Sequence, residues 1–162
     1  MTFATIRPAT VEDVPVIFQF IGELADYEKL RHQVTATEAG LRQALFGEYP
    51  GAEAILALVG EQPVGFALFF PNFSTFAGGV GLHLEDLYVQ PAFRQQGIGE
   101  KLLRHVAGIA LQRGCCRFEW SALDWNEPAV RFYRKLGAQS LDDWTIFRVA
   151  GNSLRQLGCS DG

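Results

Sequence analysis

Several common signals are missing from this chain. It has three cysteines in 162 residues. Two are adjacent, Cys115 and Cys116, which excludes a disulfide framework, and no Cys/His spacing suits zinc. Reduced, structural thiols and no metal are therefore expected. No apolar run is long enough to cross a bilayer, and the segment from Met1 to Pro8 alternates apolar and polar residues. Neither a signal peptide nor a membrane partner is expected, and a cytoplasmic location is. Basic residues are in deficit, with 14 Lys and Arg against 18 Asp and Glu and a formal net charge of −4. That balance argues against a nucleic-acid partner and mildly favours a cationic ligand. The nucleoside-triphosphate loop G-x-x-x-x-G-K-[ST] and the serine elbow G-x-S-x-G are both absent. Repeats, low-complexity tracts and linkers are absent too. The length, with 48% hydrophobic residues, fits one domain over residues 1–162 with a single core.

Periodicity supplies the elements. Phe3 to Arg7 reads as a strand ended by Pro8, and Thr10 with Asp13 resembles a capping pattern for a helix to about Lys29. Thr37 starts a second helix that Gly47 closes. Ala52 to Val59 and Val64 to Phe70 form a hairpin around Gly60-Glu61-Gln62-Pro63. Strands are further expected over Leu82 to Val89, Cys116 to Ala122 and Thr145 to Val149. Helices are expected from Gly97 to Arg113-Gly114, from Asn126 to Gly137 and over Asn152 to Leu157. The order β-α-α-β-β-β-α-β-α-β describes a mixed α/β sheet with helices on both faces.

The most informative stretch is Arg94-Gln95-Gln96-Gly97-Ile98-Gly99, between a strand and an amphipathic helix. Unpaired N–H groups and the positive dipole end at a helix start suit an anion, and glycines admit it without a Cβ clash. Arg94 adds a planar cation suited to phosphate. The plain alternative is a helix start that happens to hold two glycines. A dinucleotide fingerprint would need Gly or Ala at position 102, where Leu102 stands, although Glu119 lies about 20 residues downstream as that motif would have it. The preceding strand has its own irregularity. Leu82 and Leu84 share one parity and Leu87 and Val89 the other, so one extra residue at Glu85-Asp86, a β-bulge, would return both pairs to one face. A strand buried on both faces is the competing explanation.

The pattern Arg-x-x-Gly-x-Gly at 94–99 resembles the pyrophosphate-binding motif of the GNAT superfamily of acetyl-CoA-dependent N-acetyltransferases. Ile6-Arg7-Pro8-Ala9-Thr10, Glu23-Leu24-Ala25-x-Tyr27-Glu28, Leu84-Glu85-Asp86 and Trp125-Asn126-Glu127-Pro128 with Phe132-Tyr133 extend the likeness to the diamine acetyltransferases. These include the spermidine/spermine and thialysine enzymes. The resemblance implies a GNAT fold with a mixed central sheet splayed at a β-bulge, acetyl-CoA as co-substrate, and a homodimer. It places the pyrophosphate on Gln95, Gln96, Gly97, Ile98, Gly99 and Glu100, and the pantetheine and acetyl group along the backbone of Leu87, Tyr88 and Val89. Asn126, Glu127, Pro128 and Ala129 complete the cofactor side. By the same carry-over Glu85 is the general base through water and Tyr133 the general acid. Tyr27, Glu28, Asp86, Glu119, Trp120, Ser121 and Asp142 face the acceptor amine.

The chemistry is coherent on its own terms. A primary amine with a pKa near 10.4 must lose a proton before it attacks a thioester, and a phenol with a pKa of about 10 stays protonated for a departing thiolate. Asn126 and Tyr133 lie two helical turns apart, on one face. Without that motif Tyr133 would read as an ordinary core tyrosine. The segment Gln139 to Trp144 lacks the glutamate-rich form of polyamine-specific members, leaving Asp142 or Asp143 with a shorter reach. The expected function is therefore acetyl transfer to a small cationic primary amine. A non-catalytic acetyl-CoA-binding module or a protein N-acetyltransferase stands as the alternative.

Overall fold

The structure, a computed structural model, describes residues 3–159. Its contacts group into two compact units, one up to Leu123 and one from Asp124 onward. The first holds strands β1 (Ala4–Pro8), β2 (Glu53–Val59), β3 (Gln62–Ser74), β4 (Gly79–Val89) and β5 (Phe118–Trp120), and helices α1 (Val14–Tyr27), α2 (Glu38–Phe46) and α3 (Ile98–Gln112). The second holds α4 (Glu127–Lys135) and α5 (Gly151–Cys159). The five strands form one open sheet in the order β1-β2-β3-β4-β5, antiparallel except for the parallel pair β4-β5.

Side-chain alternation gives the sheet two apolar faces. On one, Leu56, Leu58, Phe66, Leu68 and Tyr88 pack with Ile17 and Phe20 of α1 and Leu45 of α2. The Phe20 ring lies 6.0 Å from Phe66 and 5.7 Å from Tyr88, centroid to centroid. Full burial of one such side chain stabilises the fold by about 1.5–3 kcal/mol. The opposite face carries α3, whose Ile98, Leu102, Leu103, Val106 and Ala110 are buried at helical spacing. Helices thus cover both faces, as the element order implied.

Strand β4 contains the expected bulge. Asp86 pairs with Leu68 but Leu84 pairs with Phe69, so Glu85 has no partner on β3. Leu82, Leu84, Leu87 and Val89 all oppose residues of one β3 parity, at Pro71, Phe69, Ala67 and Gly65, and therefore share the α3 face. The two-faced alternative fails on this register.

Three strand expectations are corrected. β3 does not stop at Phe70 but continues through Pro71 to Ser74. Leu82 N–H donates to Arg117 O on the β5 side, so the paired Pro71 nitrogen faces away from β4, beyond the last β2 pair at Glu53 and Phe69. Proline is tolerated at such an edge. β5 runs only from Phe118 to Trp120 and not from Cys116 to Ala122, because its pairing with β4 covers only Leu82, His83 and Leu84, up to the bulge. Residues 145–149 form no strand, and Ile146 and Phe147 are exposed. An apolar alternation marks a strand only where a neighbouring ladder receives it.

The entry to α1 is held by charge. Asp13, buried at 8% exposure, accepts from Arg7 Nη1 at 2.6 Å and Nη2 at 2.9 Å and from the Thr10 N–H at 2.7 Å. The Arg7 guanidinium holds its carboxyl below the usual range, and the Thr10 N–H reinforces this. A depressed folded-state pKa gives stability that is present above about pH 4 and lost as pH falls through the lower folded value. Asp13→Asn should therefore lower stability at pH 7 by roughly 1–3 kcal/mol, allowing for the partly exposed Arg7. The gap from wild type should shrink toward pH 3 in thermal melts. A pH-independent difference would assign the effect to packing.

Candidate active site

The site is built where β4 leaves β5. In an antiparallel ladder successive residues point their backbone groups to alternate sides. The Gln90 N–H donates to Val64 O, so Asp86 and Tyr88 face β3 while the N–H and C=O groups of Leu87 and Val89 point the other way. That is the side on which Leu82 and Leu84 meet β5. Beyond Leu84 the two strands no longer pair, which leaves the backbone groups of Leu87 and the Val89 N–H facing a gap, while Val89 O accepts from Arg94 Nε at 2.8 Å.

The chain then makes a turn at Pro91–Phe93 and reaches α3 through two left-handed residues, Gln95 at φ 61° and Gly97 at φ 78°. Gly97 is the N-cap of α3. This conformation suits glycine, and it leaves the N–H groups of Ile98, Gly99 and Glu100 in the first turn, ahead of the Lys101 N–H that bonds Gly97 O. A Cβ on Gly97 would meet nothing within 4 Å, and one on Gly99 would meet only Val89 Cγ2, at 3.9 Å. There is open space above both glycines, adjoining the open β4 edge. A pyrophosphate followed by an extended pantetheine arm fits these two features together. Glu100 also pairs with Arg104 at 2.8 Å. Gln96 Nε2 donates to Ala92 O at 3.3 Å.

Carboxylates gather on the α1 face at the bulge. Asp86, half-buried, is pushed up to about 7, first by burial and then by the charges of Glu85 and Glu28. Burial also raises Glu28. Glu85 is exposed, with Oε2 3.7 Å from His83 Nε2. Glu119 pairs in register with His83. Its Oε1 accepts from Asn72 Nδ2 at 2.7 Å and lies 3.2 Å from Arg117 Nε. Trp120 is opposite Leu84 and so belongs to the α3 face. The sheet therefore separates Glu119 from Trp120, and Ser121 follows the end of β5, exposed.

Arg94 and Tyr88 are both engaged toward α1. Arg94 Nε donates to Val89 O at 2.8 Å, and its guanidinium lies 4.8 Å from the Tyr27 ring centre. The Tyr88 hydroxyl donates to Glu23 Oε2 at 2.7 Å; burial and that carboxylate push it up to about 12. The Tyr88 hydroxyl is thus held by Glu23 and its backbone groups face β3, so of the three residues expected along the pantetheine only Leu87 and Val89 turn their backbone to the open side. His83, Asn72 and Arg117 carry no sequence-based assignment, and Glu23 enters only as part of the motif Glu23 to Glu28, without a site role. Two of these had a usable signal: His83 stands two residues before Glu85 in the same strand, and Glu23 four residues before Tyr27 in the same helix.

In the second unit, Asn126 is the N-cap residue of α4 and Pro128 lies in its first turn. Glu127 pairs with Arg131 at 3.1 Å. Tyr133, half-buried, stands 5.3 Å from the Phe132 ring, and Gly137 follows the helix at φ 92°. Asp142 is exposed and accepts from Ser140 Oγ at 3.4 Å.

A model of the acetyltransferase (GNAT) family matches residues 21–138. The chain is 40% identical to the thialysine N-epsilon-acetyltransferase of Mus musculus over 97% of its own length and 98% of that protein's. It is 30% identical to the L-ornithine N5-acetyltransferase NATA1 of Arabidopsis thaliana, covering 96% and 88%. Among solved structures, an integron cassette protein from the mobile metagenome of V. cholerae superposes with a TM-score of 0.80 at 29% identity, covering 99% of each chain. The family match spans both the strand that parts from its neighbour at a bulge and the glycine turn into α3: the chain belongs to the GNAT acetyltransferase family and is an acetyl-CoA-dependent N-acetyltransferase.

Proposed function

We propose that the acceptor is the primary amine of a small cationic compound, a diamine or lysine-like molecule, attacking the acetyl thioester directly in a ternary complex. The observation that carries this reading is the group of carboxylates, Glu28, Glu85 and Asp86, at the point where β4 parts from β5, beside the open backbone edge of Leu87 to Val89. An ammonium is drawn to that group, and its reacting amine needs a carboxylate to take the proton. The relatives named for thialysine and ornithine acetylation support the same substrate class. The family match runs across Leu123 into α4, which supports treating residues 1–162 as one catalytic domain with Tyr133 as the acid. Gln95 to Glu100 are assigned to the pyrophosphate and Asn126 to Ala129 to the cofactor side. A homodimer and a cytoplasmic location remain parts of this proposal.

Two carboxylates compete for the role of base. Position in the family motif assigns it to Glu85, acting through water. The raised carboxyl of Asp86 favours a second reading, in which Asp86 takes the proton near neutral pH.

Following CoA release across a panel of amines tests the acceptor. kcat/KM should be higher for lysine-like amines and diamines than for neutral monoamines of equal length, and the preference should weaken with salt, since screening acts over about 8–10 Å near physiological ionic strength. Equal rates for charged and neutral acceptors would remove the cationic class.

The pH profile separates the two bases. If Asp86 takes the proton, the acidic limb near pH 7 disappears in Asp86→Asn and persists in Glu85→Gln, moved to lower pH because the neighbouring charge is gone; an acidic limb that survives Asp86→Asn and is lost in Glu85→Gln assigns Glu85. Stability supplies an independent check. A carboxyl that keeps its proton to about pH 7 when folded, but releases it near pH 4 when unfolded, favours folding below that lower value. That advantage is lost between the two, so Asp86→Asn should raise Tm more at pH 8 than at pH 4.

Tyr133→Phe should leave Tm nearly unchanged and lower kcat by roughly 10²-fold, within the range for loss of a general acid. Full activity would return Tyr133 to a packing role.

A further inference from the structure

We propose that Arg94 is a positioning residue that clamps the acetyl-CoA edge of β4 to the last turn of α1 through Tyr27, and is not a ligand of the pyrophosphate. The inference rests on acetyl-CoA binding along β4 but on no particular acceptor. The guanidinium lies 4.8 Å from the Tyr27 ring centre and 5.6 Å from that of Tyr88. Its Nε donates at 2.8 Å to Val89 O, a carbonyl on the side of β4 where β5 is no longer paired. The Tyr88 hydroxyl in turn donates to Glu23 Oε2 at 2.7 Å. Glu23 and Tyr27 are four residues apart on α1 and so occupy one face. The chain Glu23, Tyr88, Arg94, Tyr27 therefore grips β4 from both ends of that helical turn.

The direction of the side chain supports the assignment. Arg94, Tyr27, Tyr88 and Glu23 line one cavity of about 720 Å³ that includes neither Gly97 nor Gly99. The arginine thus turns toward α1 and away from the start of α3. It is also one residue before Gln95, the first left-handed position of the connection to α3. Fixing the Arg94 side chain fixes both the strand wall and the start of the glycine turn. A guanidinium is required because it stacks as a plane while donating from its edge, and an ammonium does not.

The consequence is specific. Tyr27, assigned above by resemblance to the acceptor pocket, controls the binding of acetyl-CoA. Calorimetric titration with CoA tests this, with Tm recorded for each variant. Tyr27→Leu and Arg94→Gln should each weaken CoA binding roughly tenfold, the size expected for a cation–π contact and a charge-assisted hydrogen bond. The double variant should be little weaker than either single one, because both break one linkage. Tyr27→Phe, which keeps the ring, should retain CoA affinity, and Arg94→Lys should not. Turnover provides a second reading: Arg94→Gln should lower kcat/KM by the same factor for acetyl-CoA and for acetyl-pantetheine, which has no pyrophosphate. Loss confined to acetyl-CoA, or retained affinity in Arg94→Lys, would make Arg94 a phosphate ligand and overturn the clamp. Unchanged CoA affinity in Tyr27→Leu would overturn it equally. A wild-type chain that bound no CoA would instead remove the acetyl-CoA reading on which both rest.

Discussion

The unpaired residue at Glu85 is the constraint on which the rest of the site depends. A regular β4 would present Leu82 and Leu84 to one face and Leu87 and Val89 to the other, leaving one apolar pair without a core. The extra residue keeps all four on the α3 face. It also shifts the hydrogen-bonding phase, so that Leu87 and Val89 point their backbone groups to the side where β5 would lie. There β5 has already stopped pairing, at Leu84. One local irregularity thus satisfies the core and turns the backbone of Leu87 and Val89 to the side that β5 leaves unpaired, the edge to which we assign the extended arm of acetyl-CoA.

The same point organises charge. Asp86 follows the bulge on the α1 side, half-buried and beside Glu28 and Glu85, where proton release is opposed by desolvation and by like charge. Such an environment is costly to folding and useful to a reaction that must take a proton from an ammonium near neutral pH. Glu119 sits in the same row but is held by Asn72 and lies against Arg117. A carboxylate so engaged shapes the site and offers less to a cation than its neighbours do.

Tyr27, Tyr88 and Arg94 connect these parts to the helices. Arg94 carries a fixed charge, yet its stacked guanidinium and its bond to Val89 O turn it into a brace between α1 and the strand. Strand wall, glycine turn and the end of α1 are joined by these contacts.

Much of this was legible in the chain because the signals are local. Helical spacing marked α1 and α3, Thr37 and Gly97 marked helix starts, and the parity change across Glu85-Asp86 marked the bulge, since each follows from geometry over a few residues. The glycines at 97 and 99 marked the turn into α3, because a glycine readily takes the left-handed conformation found at position 97. What depended on distant partners was not legible. The continuation of β3 through Pro71 required that β2 end first, and the short β5 required that β4 bend away. The apolar run at 145–149 gave no sign that it would lack a ladder. Arg94 reads as a phosphate fork from its glycine neighbours, while the Tyr27 ring that lies 4.8 Å from its guanidinium is far away in the chain and outside any local pattern. Sequence determined which backbone conformations were available, and the tertiary structure decided which groups they bring together, because long-range packing and strand pairing are not encoded in any short window.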